Sequence, residues 1–231
     1  TPVSDISHTL RISSRFVTIK LSKSQCELFS NNDIELLQYN FIKITPLSFE
    51  LPSHTGSWIF TSKNAVNAVY SSNEKLKCNK MPHYCVGEKT KSELVKNDQK
   101  VIKMCNNSLK LANYLINNDK NEKYFFCRGS IINKDFSDFF YTNKMNLNEI
   151  PVYKTELVPK KIDCILDGIM FFSPSAIKSF MKKNTLNSSE CFCIGKTTSA
   201  FAKNFSSKIH YPEIPSVDNV INQTINFFKN E

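Results

Sequence analysis

Apolar residues in this chain come in short blocks, each followed by a turn and then by a helical spacing. Residues 58–60, "WIF", read as a strand that stops at Thr61-Ser62-Lys63-Asn64. Ala65, Val66, Val69 and Tyr70 then recur on one face of a helix. The pattern returns at Ile169 to Phe172, which stops at Ser173-Pro174-Ser175 before Ala176, Ile177, Phe180 and Met181. "WIFTSKNAV" (58–66) aligns with "IMFFSPSAI" (169–177) at an offset of 111: Phe60 meets Phe171, Ser62 meets Ser173 and Ala65 meets Ala176. "YCVGEKTKS" (84–92) aligns with "FCIGKTTSA" (192–200) at an offset of 108, with Cys85 on Cys193, Gly87 on Gly195 and Thr90 on Thr198. Val101 with Ile209, and Ser108 with Ser216, open a third matched pair. An ordered internal repeat of this kind predicts two α/β units of one design. Strands alternating with helices predict parallel sheets covered by helices.

The remaining elements follow from the same patterning. "RFVTIKL" (15–21) reads as a first strand and Cys26 to Leu37 as helix-like. "YNFIKITPL" (39–47) and "NEIPVYKTELVP" (148–159) are extended runs able to pair as a linker. "KYFFC" is a strand that ends in "CRGS" (127–130), and Val217, Val220, Ile221, Thr224, Ile225 and Phe228 make the apolar face of a last helix.

Charge narrows the partner. The 231 residues carry 30 Lys+Arg against 21 Asp+Glu, a formal net charge of +9, which favours an anionic ligand. Eight cysteines form no CxxC pair and sit mostly in apolar runs, so they read as buried free thiols in a reducing compartment. The four histidines are scattered without metal-ligand spacing. No apolar run is long enough for a membrane span, and the opening "TPVSDISHTLR" shows no secretory signal. GxSxG, Walker and GxGxxG loops are missing, and no nucleophile–base pair is evident.

The candidate chemistry lies at strand ends. Ser173 suits an N-cap with Pro174 at the first helical position, and Ser62 holds the same place in the first unit. Gly87 and Gly195 permit positive φ and close backbone approach, with Thr90, Thr197 and Thr198 following. Arg128 and Gly129 end another strand, and Tyr153 lies in an extended run. Taken singly, Ser-Pro is a helix cap, Gly-x-Thr-Thr a turn, Arg128 a solvated charge and Tyr153 a packing residue. Together they put hydroxyls, backbone N–H groups and helix N-termini where α/β sheets bind ligands, and such groups suit carboxylate or phosphate.

"WIFTSKNAVNAV", "CVGEKTKSEL", "FFCRGS", "IPVYKT", "MFFSPSAIKSF" and "CIGKTTSAFAK" stand in the order found in uroporphyrinogen-III synthases, and the chain resembles that family over residues 15 to 228. The resemblance implies two similar parallel-sheet α/β domains joined by a two-stranded antiparallel linker, with a ligand cleft between them. Residues 1–38 with 156–231 would form one domain, 45–149 the inserted one, and 39–44 with 150–155 the linker strands. It implies a cytoplasmic lyase of heme biosynthesis that cyclises hydroxymethylbilane, a polycarboxylate linear tetrapyrrole, with loss of water and inversion of the terminal pyrrole. No cofactor or metal is implied, and we expect a monomer with no nucleic-acid or membrane partner. Thr61, Ser62, Asn64, Gly87, Glu88, Lys89, Thr90, Arg128, Gly129, Ser130, Ser173, Ser175, Thr197 and Thr198 are the substrate-binding positions carried over. Tyr153 matches the family's linker tyrosine, a hydrogen-bond donor to the departing hydroxyl or the ring. The family often has Thr-Arg after its first strand; here "FVTIKLSKSQ" has no Arg after Thr18, and Lys20 or Lys23 stands nearby. Two rival readings are a two-lobed binding protein for an anionic ligand, without chemistry, and a basic nucleic-acid-binding module. Most aromatics sit in apolar runs rather than interleaved with Lys and Arg, which counts against the second.

Overall fold

Central strands that are apolar on every residue must be covered on both faces, and the computed structural model shows this arrangement twice. It describes residues 14–52, 55–71, 81–131, 134–186 and 188–229. Cys78, His8 and His54 lie outside the described residues. The chain divides into two units, one drawn from Thr1–Lys43 and Leu157–Glu231, the other from Ile44–Glu156.

In the first unit the elements are β1 (Ser14–Thr18), α1 (Lys23–Ser30) and β2 (Ile34–Gln38). After the second unit the chain returns with β9 (Gly168–Phe171), α6 (Pro174–Phe180), β10 (Glu190–Cys193), α7 (Lys196–Ala202), β11 (Ile209–His210) and α8 (Val217–Lys229). Its sheet has the order β11-β10-β9-β1-β2, with every pair parallel. Alternation splits the strand side chains between two cores. Ile169 and Phe171 pack with Ala176, Ile177 and Phe180 of α6, while Met170 packs with Phe16, Phe29 and α8 residues Val220 and Ile221.

The second unit contains β3 (Ile42–Pro46), β4 (Ser57–Phe60), α2 (Lys63–Ser71), β5 (His83–Val86), α3 (Glu88–Lys96), β6 (Val101–Cys105), α4 (Ser108–Asn118), β7 (Lys123–Gly129), α5 (Asp135–Thr142) and β8 (Asn146–Leu157). Its sheet runs β3-β8-β7-β4-β5-β6. Trp58, Phe60, Phe125 and Cys127 pack beneath α2, and Ile59, Tyr124 and Phe126 face α4 and α5. Each fully buried Phe among them contributes about 1.5–3 kcal/mol of transfer free energy.

The two parallel sheets share one order, β2-β1-β9-β10-β11 against β8-β7-β4-β5-β6. The repeat is therefore permuted: the pair β1–β2 opens the chain, whereas its spatial counterpart β7–β8 closes the inserted unit. β3 is an extra edge strand beside β8. Val158 N–H donates to Phe41 O and Leu47 N–H to Val152 O, so numbers rise along one strand as they fall along the other, and the pair is antiparallel. The chain passes between the units within these strands, after Lys43 and after Glu156.

One element departs from expectation. The helix-like stretch Cys26 to Leu37 is a helix only to Ser30, and Ile34–Gln38 is a strand parallel to β1. Asn31-Asn32-Asp33 ends the helix, and Asp33 adopts φ 54, a left-handed turn that Asp tolerates. Ile34 and Leu36 then pack toward Phe16 and Phe29. Local helical spacing here loses to the sheet, because an added parallel strand completes β1's hydrogen bonding.

Candidate active site

Strand-end turns place the candidate residues. At the end of β4 the Ser62 hydroxyl accepts from Asn64 N–H at 3.1 Å, and its carbonyl accepts from Ala65 and Val66 at the start of α2. At the end of β9 the Ser173 hydroxyl accepts from Ala176 N–H at 3.2 Å, with Pro174 inside the first turn. The repeated serines are thus repeated caps, and Thr61, Asn64 and Ser175 are half-buried beside them.

The next pair of turns is less symmetric. Gly87 adopts φ 83, and its carbonyl accepts from Thr90 and Lys91. Gly195 has φ 172, an extended conformation open to any residue, so the expectation of positive φ holds for Gly87 alone. Its constraint is space: a Cβ there would lie 3.3 Å from Pro215 Cγ. Thr90 and Thr198 are buried in their units at 4% and 3% exposure. Glu88, Lys89 and Thr197 are exposed, and Glu88 forms a 3.8 Å surface pair with Lys91.

The third cluster is the tightest. β7 and β8 pair in regular register until Arg128–Pro151, after which Gly129 pairs with Tyr153, leaving Val152 as an extra residue. Such a bulge re-aims side chains. Val152 and Tyr153 both pack on the core beneath α2. The half-buried Tyr153 ring lies against Gly129, and its hydroxyl donates to Ser62 Oγ at 3.4 Å. Ser130 N–H donates to Tyr153 O at 2.8 Å. The ends of β4 and β7 and the bulge within β8, neighbours in the sheet, therefore bring together Ser62, Gly129, Ser130 and Tyr153, Ser62 and Tyr153 across a sequence separation of 91 residues.

Arg128 is not a solvated charge. Its Nε pairs with Glu149 Oε2, and a terminal N–H donates to Gly129 O at 2.9 Å. Tyr141 OH donates to the other Glu149 oxygen at 3.0 Å. Burial pushes the Glu149 carboxyl up, but hydrogen bonds from its donors, Arg128 and Tyr141 among them, outweigh this and hold it below its usual value. Glu149 and Tyr141 went unread in the sequence. A lone carboxylate between apolar strand residues, "LNEIPV", was the available signal.

In the first unit, with Ser57 on Gly168, the register sets Tyr124 beside one and Phe16 beside the other, and the count that leads from Tyr124 to Arg128 leads from Phe16 to Lys20. β1 ends at Thr18, so Lys20 lies beyond the strand, whereas Arg128 is within β7. Lys20 is exposed, and its N–H donates to Asn40 Oδ1 at 3.2 Å. Lys23 opens α1, whose Ser22–Gln25 capping box fixes its start.

The thiols closest to these turns are not activated. Burial pushes Cys85 up to about 11, Cys193 up to about 12 and Cys127 well above its ordinary value. Each stays protonated at neutral pH, and the thiolate is the nucleophile. The seven described cysteines are free. Among the described residues no cluster of His, Cys, Asp and Glu could hold a metal, and no helix is long and apolar enough to cross a membrane. What the turns carry is hydroxyls, backbone amides and one positioned phenol.

Comparison with known proteins gives the same direction. The sequence model of a family described as "Uroporphyrinogen-III synthase HemD" matches residues 25–222. No curated protein sequence matches the chain. Among solved structures, the uroporphyrinogen-III synthetase from Helicobacter pylori superposes with a TM-score of 0.71 at 15% identity, covering 94% of this chain and 100% of that one. A mutant uroporphyrinogen III synthase from Thermus thermophilus gives 0.66 at 10% identity, covering 94% and 98%. At such identities the structural likeness is one of fold.

Proposed function

The chain belongs to the uroporphyrinogen-III synthase family, and from that premise we propose how its strand-end residues serve the family's reaction. The substrate is hydroxymethylbilane, four linked pyrroles bearing acetate and propionate groups. The bond from its hydroxymethyl carbon to oxygen breaks with the electron pair, and a pyrrole nitrogen stabilises the cation left behind. An α-carbon of the terminal pyrrole forms a C–C bond to that cation; the bond from the same carbon to its old methylene bridge then breaks and re-forms at the ring's other α-carbon, which inverts the ring and closes the macrocycle. One ring proton leaves with the hydroxide, so the net loss is one water and nothing is oxidised or reduced.

Thr61, Ser62, Asn64, the Gly87–Thr90 turn, Gly129, Ser130, Ser173, Ser175 and Thr197–Thr198 then bind carboxylates through hydroxyls and backbone N–H groups near helix starts. Thr90 and Thr198 are buried, and Thr90 N–H is given to Gly87 O, so these two shape their turns while the exposed residues beside them meet the carboxylates. Tyr153 donates to the departing hydroxyl or to a ring. Folding the substrate so that its ends meet supplies more of the rate than any one acid, because ordering reacting groups is a large term. The net charge of +9 helps gather the polyanion. In the same reading the β3–β8 pair is the linker between two domains, and the enzyme works as a monomer in the cytoplasm, where free cysteines persist. Nucleic acid and membrane have no part in it.

The observation that carries the reading is the meeting of Tyr153, at the β8 bulge, with Ser62 and Gly129 at the ends of β4 and β7. The test incubates the purified chain with hydroxymethylbilane, oxidises the products and separates the uroporphyrin isomers. Isomer III is expected.

A further inference from the structure

We infer that Glu149 is a positioning residue for this reaction, acting through Arg128 on the Gly129–Ser130 turn that the Tyr153 ring and carbonyl rest against. The inference rests on the synthase reading. Glu149 on β8 is in register with Phe126 on β7, so it emerges on the sheet face that also carries Arg128, two residues further on. That face is covered by α5, which contributes Tyr141. Tyr153 packs instead on the core beneath α2. Glu149 therefore acts from behind the turn, not from beside the substrate.

The connections run in one line. Tyr141 OH and Arg128 Nε hold the two carboxylate oxygens, one each. The Arg128 terminal N–H holds the Gly129 carbonyl at 2.9 Å, and Ser130 N–H holds the Tyr153 carbonyl at 2.8 Å. The ion pair is shielded, its side chains 15% and 16% exposed. An exposed pair would do little. A shielded pair with both carboxylate oxygens engaged fixes a geometry, and removing one partner leaves the other unpaired away from water. Two of the guanidinium's donors are turned back onto the protein, so Arg128 acts chiefly as a strut.

The test is steady-state formation of isomer III from hydroxymethylbilane by the wild type, Glu149→Gln, Arg128→Lys and the double variant. Displacing a turn beside the reacting groups should lower kcat about tenfold in each single variant, with KM kept within about twofold. The double variant should lose no more than the worse single variant, because both act through one strut. Glu149→Asp should recover part of the rate. Wild-type kcat in Glu149→Gln, a loss confined to KM, or losses that multiply in the double variant would overturn the inference. Should Glu149→Gln fail to fold, Glu149→Asp and Arg128→Lys carry the same comparison: a kcat loss in both supports the strut, and wild-type kcat in either overturns it. A wild type yielding only isomer I would sink the synthase reading itself. A wild type yielding isomer III beside an unaffected Glu149→Gln sinks the strut alone.

Discussion

The ring of Tyr153 lies across Gly129 so closely that a Cβ on the glycine would stand 2.8 Å from the ring's Cζ and 3.0 Å from its hydroxyl oxygen. The glycine is thus the floor on which the phenol rests. Gly129→Ala should push the ring aside. Because the obstacle is the far end of a side chain, the stability cost should be only about 1 kcal/mol. Displacing the phenol from its place should cost more in turnover, about tenfold in kcat. A melting curve and a rate measurement on the same preparation separate the two effects.

Tyr153→Phe keeps the ring on Gly129 and removes only the hydroxyl near Ser62. If substrate folding dominates, kcat should fall by less than about 100-fold, the low end of what a general acid contributes. A loss as deep as that of a nucleophile knockout would show the positional view to be wrong.

Gly87 tests the turn after β5. Its φ of 83 with ψ 147 is a region that side chains rarely enter, yet a Cβ there would touch nothing within 4 Å. Gly87→Ala should therefore destabilise through the backbone alone, by about 1–3 kcal/mol. Gly195→Ala, at the repeat-equivalent position, meets only the Pro215 ring and should lose less. Urea unfolding of the two variants compares them directly.

Acid should find His83. It is fully buried, shares a hydrogen bond with Tyr70 and stacks on Phe60. Burial pushes its pKa down to about 4. Unfolded, it returns to about 6.5. Between these values the unfolded chain binds more protons, so stability rises with pH. The contribution is complete above about pH 6.5 and is lost as pH falls toward 4, with a ceiling of about 3 kcal/mol. The urea midpoint should drop from pH 7 to pH 5 more steeply in the wild type than in a Tyr70→Phe/His83→Phe double variant. Parallel curves would contradict this.

The repeat was legible because each copy writes its own signals locally: a strand apolar on both faces, a serine cap, then helical spacing. Trp58 to Val69 and Ile169 to Phe180 needed no tertiary information. β2 was lost because Ile34 and Leu36 follow a helix with only a left-handed Asp33 between, and no Gly or Pro marks the break. The permutation that makes β7–β8 the counterpart of β1–β2 is a fact of sheet order, invisible in linear alignment. The Ser62 and Gly87 turns could be read as strand ends. That Tyr153 would reach Ser62 could not, since it depends on a bulge at Val152. Arg128 was visible as a charge at a strand end, but its partner Glu149 lies 21 residues away on another strand. Thr90 and Thr198 looked like exposed turn hydroxyls, and helix phase turns them inward.

The central claim is that these strand ends direct the ring closure of hydroxymethylbilane. Its most direct measurement is the fraction of isomer III in the oxidised uroporphyrin as enzyme concentration is raised. The predicted fraction climbs toward complete isomer III, and climbs later for Tyr153→Phe. Isomer I at every concentration, as forms without enzyme, would contradict it.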